Sequence, residues 1–182
     1  MGGSPDHQGY RPHLDGLRAV AVLLVVAYHA GFAAISGGFV GVDVFFVLSG
    51  YLITRLLVAE LVADGRLRLP RFYARRMRRL LPASALALGG AVFASIHLLD
   101  RAQQLAVAED VRWSALWSAN WRFVQARTDY FAPGDVPSPV VHYWSLAVEE
   151  QFYLVWPALL LGLWWLLARR AGRPTAALAA AI

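Results

Sequence analysis

The 182 residues contain no cysteine. A disulfide scaffold, a thiol nucleophile and a cysteine zinc site are therefore excluded within this chain. Lysine is absent too: all 17 basic residues are arginine, which removes Schiff-base chemistry. Charge of either sign is scarce, at 16% of residues, where soluble domains carry about a quarter. Apolar residues make up 58% and the mean hydropathy is +0.48. A pI near 10.1 invites a nucleic-acid reading, but that apolar content argues against a nucleic-acid module. In a membrane protein, basic excess marks cytoplasmic loops.

What is present is a series of long apolar runs. A membrane helix needs about 20 residues at 1.5 Å rise each. Four stretches qualify, near residues 17–35, 36–57, 80–99 and 144–168, and residues 175–182 read as the start of another. The first is too long for a signal-peptide core, and no small-x-small cleavage site follows it. The expected fold is an all-α, polytopic transmembrane bundle. Residues 1–13, rich in Gly, Pro and His, form an expected mobile cytoplasmic tail, and 14–182 the membrane portion. The apolar ending leads us to expect that the chain continues, and that this polypeptide is inactive alone.

Arginine placement sets the expected orientation. Arg55 lies at the end of the second run, Arg66, Arg68, Arg71, Arg75, Arg76, Arg78 and Arg79 fall between the second and third, and Arg169, Arg170 and Arg173 follow the fourth. By the positive-inside rule both ends and the Arg71–Arg79 segment are cytoplasmic, in a plasma or inner membrane. Residues 100–139 are then extracytoplasmic, with Trp113, Trp117 and Trp121 forming a stripe at helical spacing.

Ionisable groups inside membrane runs are functional candidates by default. His29 follows Arg18 by eleven residues, almost three helical turns, so the two share a stripe about 16 Å apart along the axis. An anionic ligand held at Arg18 could reach His29 with its reactive end. The plainer alternatives are an Asp15 partner for Arg18 and a neutral His29 bonded to a neighbouring helix. In the string His142 to Tyr153, a helix puts His142, Ser145, Glu149 and Tyr153 on one face. Glu150 points about 100° away, toward headgroups or a neighbouring helix. A carboxylate such as Glu149 can orient a histidine and favour its imidazolium. Asp43 reads most simply as a first-turn acid, and the Arg71–Arg79 helix as a topology signal or anionic-lipid patch. Ser49 and Gly50 are small enough for close helix approach.

Five strings in order resemble the acyltransferase-3 family of integral-membrane acyltransferases. They are Leu14-Asp15-Gly16-Leu17-Arg18 leading to His29, the run from Gly38 to Ile53, Arg71 to Pro82, Ser118-Ala119-Asn120-Trp121, and His142 to Pro157. The match covers residues 13–168. The family's domain is about twice this length with roughly ten spans, so the chain resembles its N-terminal half. Tyr51 stands where phenylalanine is commoner.

The resemblance implies an acyl-CoA co-substrate, acetyl-CoA above all, reached from the cytoplasm, and a hydroxyl acceptor on a sugar, glycolipid or cell-envelope glycan. It implies a central role for Arg18 and His29, and for Glu149 as the more characteristic acid. On that reading Arg18, Arg71, Arg75 and Arg78 hold the donor's phosphates, His29 acts as general base, and Glu149 supports it. Asp43, Asn120, Ser145 and Tyr153 are supporting, Asn120 or Ser145 as oxyanion donors. No metal or permanently bound cofactor is expected, and the partners are the bilayer, acyl-CoA and the acceptor. Acylation of His29 as a covalent intermediate stays open. So do an envelope-lipid flippase with a proton path through His29, Asp43 and Glu149, and a half-protein that only binds its missing part.

Overall fold

The computed structural model describes residues 12–126 and 138–171, and every regular element among them is a helix. Most of the expected tail, most of the loop from Phe131 to Pro139 and the start of a span at 175–182 lie outside the described residues. The chain forms two compact units, residues 1–56 and 57–182.

In the first unit, α1 spans Pro12–His29. The expected apolar crossing at 17–35 is not one helix. The chain turns at Gly31, whose φ of 77° is the left-handed conformation that glycine takes without a Cβ penalty, and short 3₁₀ turns follow at Ala33–Ile35 and Gly38–Val40. α2, Gly41–Asp64, begins here. The return against α1 depends on two glycines. A Cβ on Gly38 would collide with the Leu24 carbonyl and crowd Tyr28, and one on Gly41 would collide with the Ala21 carbonyl and crowd Val25. Ala21, Leu24, Val25 and Tyr28 lie on one stripe of α1, so backbone meets backbone along it.

The second unit holds the end of α2, then α3 (Leu69–Leu98), α4 (Arg101–Ala115), α5 (Ala119–Gln125) and α6 (Tyr143–Ala171). Pro70 opens α3, where its missing N–H costs nothing. Asp100 caps α4 in a reciprocal box with Gln103: each side chain bonds the other's backbone N–H, at 2.9 and 3.1 Å. α4 packs back along α3. α6 runs antiparallel to α3, as the order of their contacts shows. The Tyr143 hydroxyl donates to the Ser84 carbonyl at 3.4 Å, Arg76 pairs with Glu150, and the Tyr73 hydroxyl donates to the Leu154 carbonyl at 3.1 Å. Leu88, Ala119, Phe123, Val140, Tyr143 and Ala147 make the core between these helices.

Three described helical stretches are long and apolar enough to cross a membrane: Gly38–Asp64, Leu69–Leu98 and Tyr143–Ala168. α1 is not among them, because His13, Asp15 and Arg18 occupy its first two turns and it stops at His29. Large apolar side chains such as Leu86, Phe93, Leu154 and Leu159 stay exposed along these helices, as lipid contact or further protein requires.

Two expectations about residues 100–139 change. The Trp113–Trp121 stripe is not one helix, because Trp117 has φ of 51° and separates α4 from α5. Nor can all of the described part lie on the face opposite the Arg71–Arg79 segment. Trp117, Ser118 and Trp121 line one cavity together with Tyr73 and Arg76, and groups sharing a cavity cannot sit on opposite faces of an apolar layer about 30 Å thick. α4 carries the chain back to the basic end of α3.

Candidate functional site

His29 is the last residue of α1 and is exposed. Its Nδ1 lies 2.8 Å from the Val25 carbonyl, one turn back. A carbonyl only accepts, so Nδ1 is the donor in this bond. The ring also meets Tyr28 edge-on at 5.3 Å, and Tyr28 meets Phe39 at 5.8 Å. The glycine-dependent packing of the 38–41 turn on α1 thus supports the neighbour of His29. Arg18 lies on the same helix, 3.9 Å from Asp15 and with its guanidinium carbon 5.1 Å from the centre of the Phe45 ring. The Asp15 pairing matches the plainer reading of Arg18. Asp43 is exposed in the first turn of α2, where an acid favours the helix dipole.

In the second unit the polar residues converge on one cavity of about 380 Å³. Tyr73, Arg76 and Met77 of α3 form one wall, Leu116 to Ser118 and Trp121 another, and Glu150, Gln151, Tyr153 and Leu154 of α6 a third. Arg76 bonds both carboxylate oxygens of Glu150 through Nε, at 3.0 and 2.8 Å, and reaches Oε1 again through its second nitrogen. Glu150 is 5% exposed, and this fork supplies the partner that a buried charge needs. The guanidinium carbon of Arg76 also sits 3.3 Å from the centre of the Tyr153 ring.

Glu149 faces elsewhere. Its Oε1 accepts the Tyr153 hydroxyl at 2.6 Å, the one-turn contact that their spacing predicts. Ser145 shares the helix but donates to the carbonyl of His142 at 3.1 Å, and His142 precedes the helix. Asn120 and Gln151 bond reciprocally at 3.3 and 2.9 Å, and Gln151 also donates to the Trp117 carbonyl at 2.8 Å. That bond holds the left-handed Trp117 and with it the cavity wall. Of the donor-binding arginines expected from sequence, Arg71, Arg75 and Arg78 are exposed, and Arg78 bonds the Ala74 carbonyl at 3.2 Å. Among the described residues no three His, Asp or Glu side chains gather as a metal ion would need.

The structure therefore joins Glu149 to Tyr153 and leaves His29, Arg18 and Asp43 in the other compact unit. Gln151 was not singled out from sequence; Arg76 figured only within the basic run, Trp117 only in the tryptophan stripe, and Glu150 only as the acid turned toward headgroups or a neighbouring helix, which α3 proves to be. A signal existed for two of them. Arg76 is one turn beyond the buried Phe72, and Glu150 falls in the buried series Tyr143, Ala147, Glu150, Tyr153, Pro157, Leu160, spaced three and four apart.

Residues 11–182 match the acyltransferase-3 family, described as an acyltransferase domain. The chain is 45% identical over 156 residues to the peptidoglycan O-acetyltransferase OatA of Listeria monocytogenes, covering 84% of this chain and 24% of that protein. It is 47% identical over 154 residues to the putative peptidoglycan O-acetyltransferase YrhL of Bacillus subtilis, covering 85% and 24%. It is 42% identical over 154 residues to the putative O-acetyltransferase SAS0844 of Staphylococcus aureus, covering 85% and 25%. The chain thus spans about a quarter of the length of the curated relatives it matches. No solved structure matches.

Proposed function

The chain belongs to the acyltransferase-3 family, and from that membership we propose that it forms the donor-side portion of a membrane enzyme that O-acetylates a cell-envelope glycan, with acetyl-CoA as donor. One observation carries the reading: relatives 42–47% identical over most of this chain are named as O-acetyltransferases, two of them acting on peptidoglycan. The geometry around His29 supports the chemistry.

In this reading the acceptor hydroxyl loses its proton to Nε2 of His29 as its oxygen attacks the thioester carbonyl. The carbon–sulfur bond breaks, and the departing thiolate takes the proton back from the imidazolium. A positioned base of this kind supplies about 10²–10⁴-fold. The Val25 carbonyl orients the ring through Nδ1, so Glu149 is not required to set the tautomer. Its proposed part is electrostatic support of the imidazolium. Arg18, Arg71, Arg75 and Arg78 are the proposed contacts for the donor's phosphates, from a cytoplasmic face defined by arginine placement.

The test uses membranes carrying the complete polypeptide, labelled acetyl-CoA and peptidoglycan glycan strands. Transfer of label to glycan hydroxyls supports the reading. Label that stays on CoA, with the protein present at normal abundance, contradicts it.

A further inference from the structure

Arg76 lies inside the arginine-rich turn that charge alone would give to lipid or to donor phosphates. Its surroundings assign it a different task. Of the arginines Arg71, Arg75, Arg76, Arg78 and Arg79, the other four are exposed and Arg76 is partly buried. Its fork is engaged by both oxygens of Glu150, which neutralises it. Its guanidinium carbon lies 3.3 Å from the centre of the Tyr153 ring, a close cation–π contact in which the planar guanidinium presents more surface than an ammonium. Tyr153 is 4% exposed, so the ring has little room to move once clamped. The hydroxyl at the far end of that ring donates to Glu149 at 2.6 Å.

We propose that Arg76 is a positioning residue. Glu150 locks its guanidinium, the guanidinium locks the Tyr153 ring, and the ring delivers its hydroxyl to Glu149, fixing the carboxylate. The two adjacent acids are thereby parts of one device: Glu150 anchors it and Glu149 is its output. Tyr73 braces the same turn of α6 from α3, its hydroxyl 3.1 Å from the Leu154 carbonyl. Arg76 touches no substrate in this role, unlike Arg71, Arg75 and Arg78. The inference rests on the acetyl-transfer reading, because that reading gives Glu149 something to do.

The test compares Arg76→Lys, Tyr153→Phe and the double variant in the complete polypeptide, with acetyl-CoA and peptidoglycan glycan strands. Lysine keeps the charge for Glu150 but loses the fork and the planar surface against the ring. Phenylalanine keeps the ring contact and loses only the hydroxyl. A displaced reactive group costs about 10²-fold, so each single variant should lose about that much in kcat, with the KM for acetyl-CoA unchanged. The double variant should lose no more than the worse single, since both act on one chain of contacts. A raised KM for acetyl-CoA with kcat retained in Arg76→Lys would make Arg76 a donor contact and overturn the proposal. Fully additive losses, or a fully active Tyr153→Phe, would overturn it as well. An unaltered protein that transfers no acetyl group removes the acetyl-transfer reading itself and the positioning role with it.

Discussion

Glu149 and Glu150 are neighbours in sequence with opposite fates: Glu149 accepts the Tyr153 hydroxyl on its own helix at 2.6 Å, and Glu150 turns across to α3 and is buried against Arg76. One hundred degrees of helical rotation separates an acid held by a neutral donor from an acid locked in an ion pair. Glutamine substitutions should therefore fail in different ways. Glu150→Gln leaves the Arg76 guanidinium without its counter-charge, a change worth about 3–5 kcal/mol when such a pair is buried. Beyond the turnover it loses by releasing Arg76, it should show reduced accumulation and a lowered Tm. Glu149→Gln should accumulate normally and lose kcat. Quantifying membrane abundance beside turnover separates the two. Equal abundance for both variants would contradict the ion-pair argument.

The contact between the 38–41 turn and α1 predicts sensitivity to a single methyl. Gly38→Ala and Gly41→Ala each place a Cβ against a main-chain carbonyl that cannot move without bending α1. Overpacking of this kind costs about 1–3 kcal/mol. Both variants should unfold at lower temperature in detergent, whereas Gly89→Ala and Gly90→Ala, with open space around them, should not.

Gln151 ties α6 to the turn between α4 and α5. Gln151→Leu strips the bond from the Trp117 carbonyl and leaves the Asn120 amide without its reciprocal partner. Leaving a buried polar group unsatisfied costs about 1–3 kcal/mol, and these half-buried groups should cost less than that. The expected result is a less stable protein with altered Trp117 and Trp121 fluorescence. An unchanged unfolding midpoint would show that the turn holds itself.

α3 has 30 residues, about 45 Å of helix, enough for its ends to emerge on opposite sides of a bilayer. These 182 residues hold no cysteine, so in this polypeptide single introduced thiols report cleanly. If arginine placement sets the orientation, Arg101→Cys should react with an impermeant thiol reagent in intact cells and Arg71→Cys should react only after lysis. The reverse pattern would invert the topology and the donor's side with it.

Much of this fold is written in the sequence. Apolar runs at 36–57, 80–99 and 144–168 fall on the helices Gly41–Asp64, Leu69–Leu98 and Tyr143–Ala171, though hydropathy missed the basic first turns of α3, and spacing placed Tyr153 on the face of Glu149. Failures came where local rules compete. Apart from Arg18 and His29 the 17–35 run is apolar, so its hydropathy does not mark the break that Gly31 and the packing of Gly38 and Gly41 impose. The tryptophans at 113, 117 and 121 keep perfect helical spacing, yet a side-chain bond from Gln151, 34 positions later, accompanies the left-handed turn that splits them. Arg76 is one arginine among several in sequence, and only the helix that packs opposite distinguishes it.

The central claim is that His29 carries the acyl transfer through Nε2. The most direct test is the rate of transfer from labelled acetyl-CoA to peptidoglycan glycan strands by membranes carrying the complete polypeptide, unaltered and as His29→Ala, normalised to the protein present. Replacing an imidazole at a helix end by a methyl leaves the rest of α1 intact, so abundance should hold. Transfer should fall by about 10²-fold or more. Turnover within a few-fold of the unaltered protein, at equal abundance, would contradict the account.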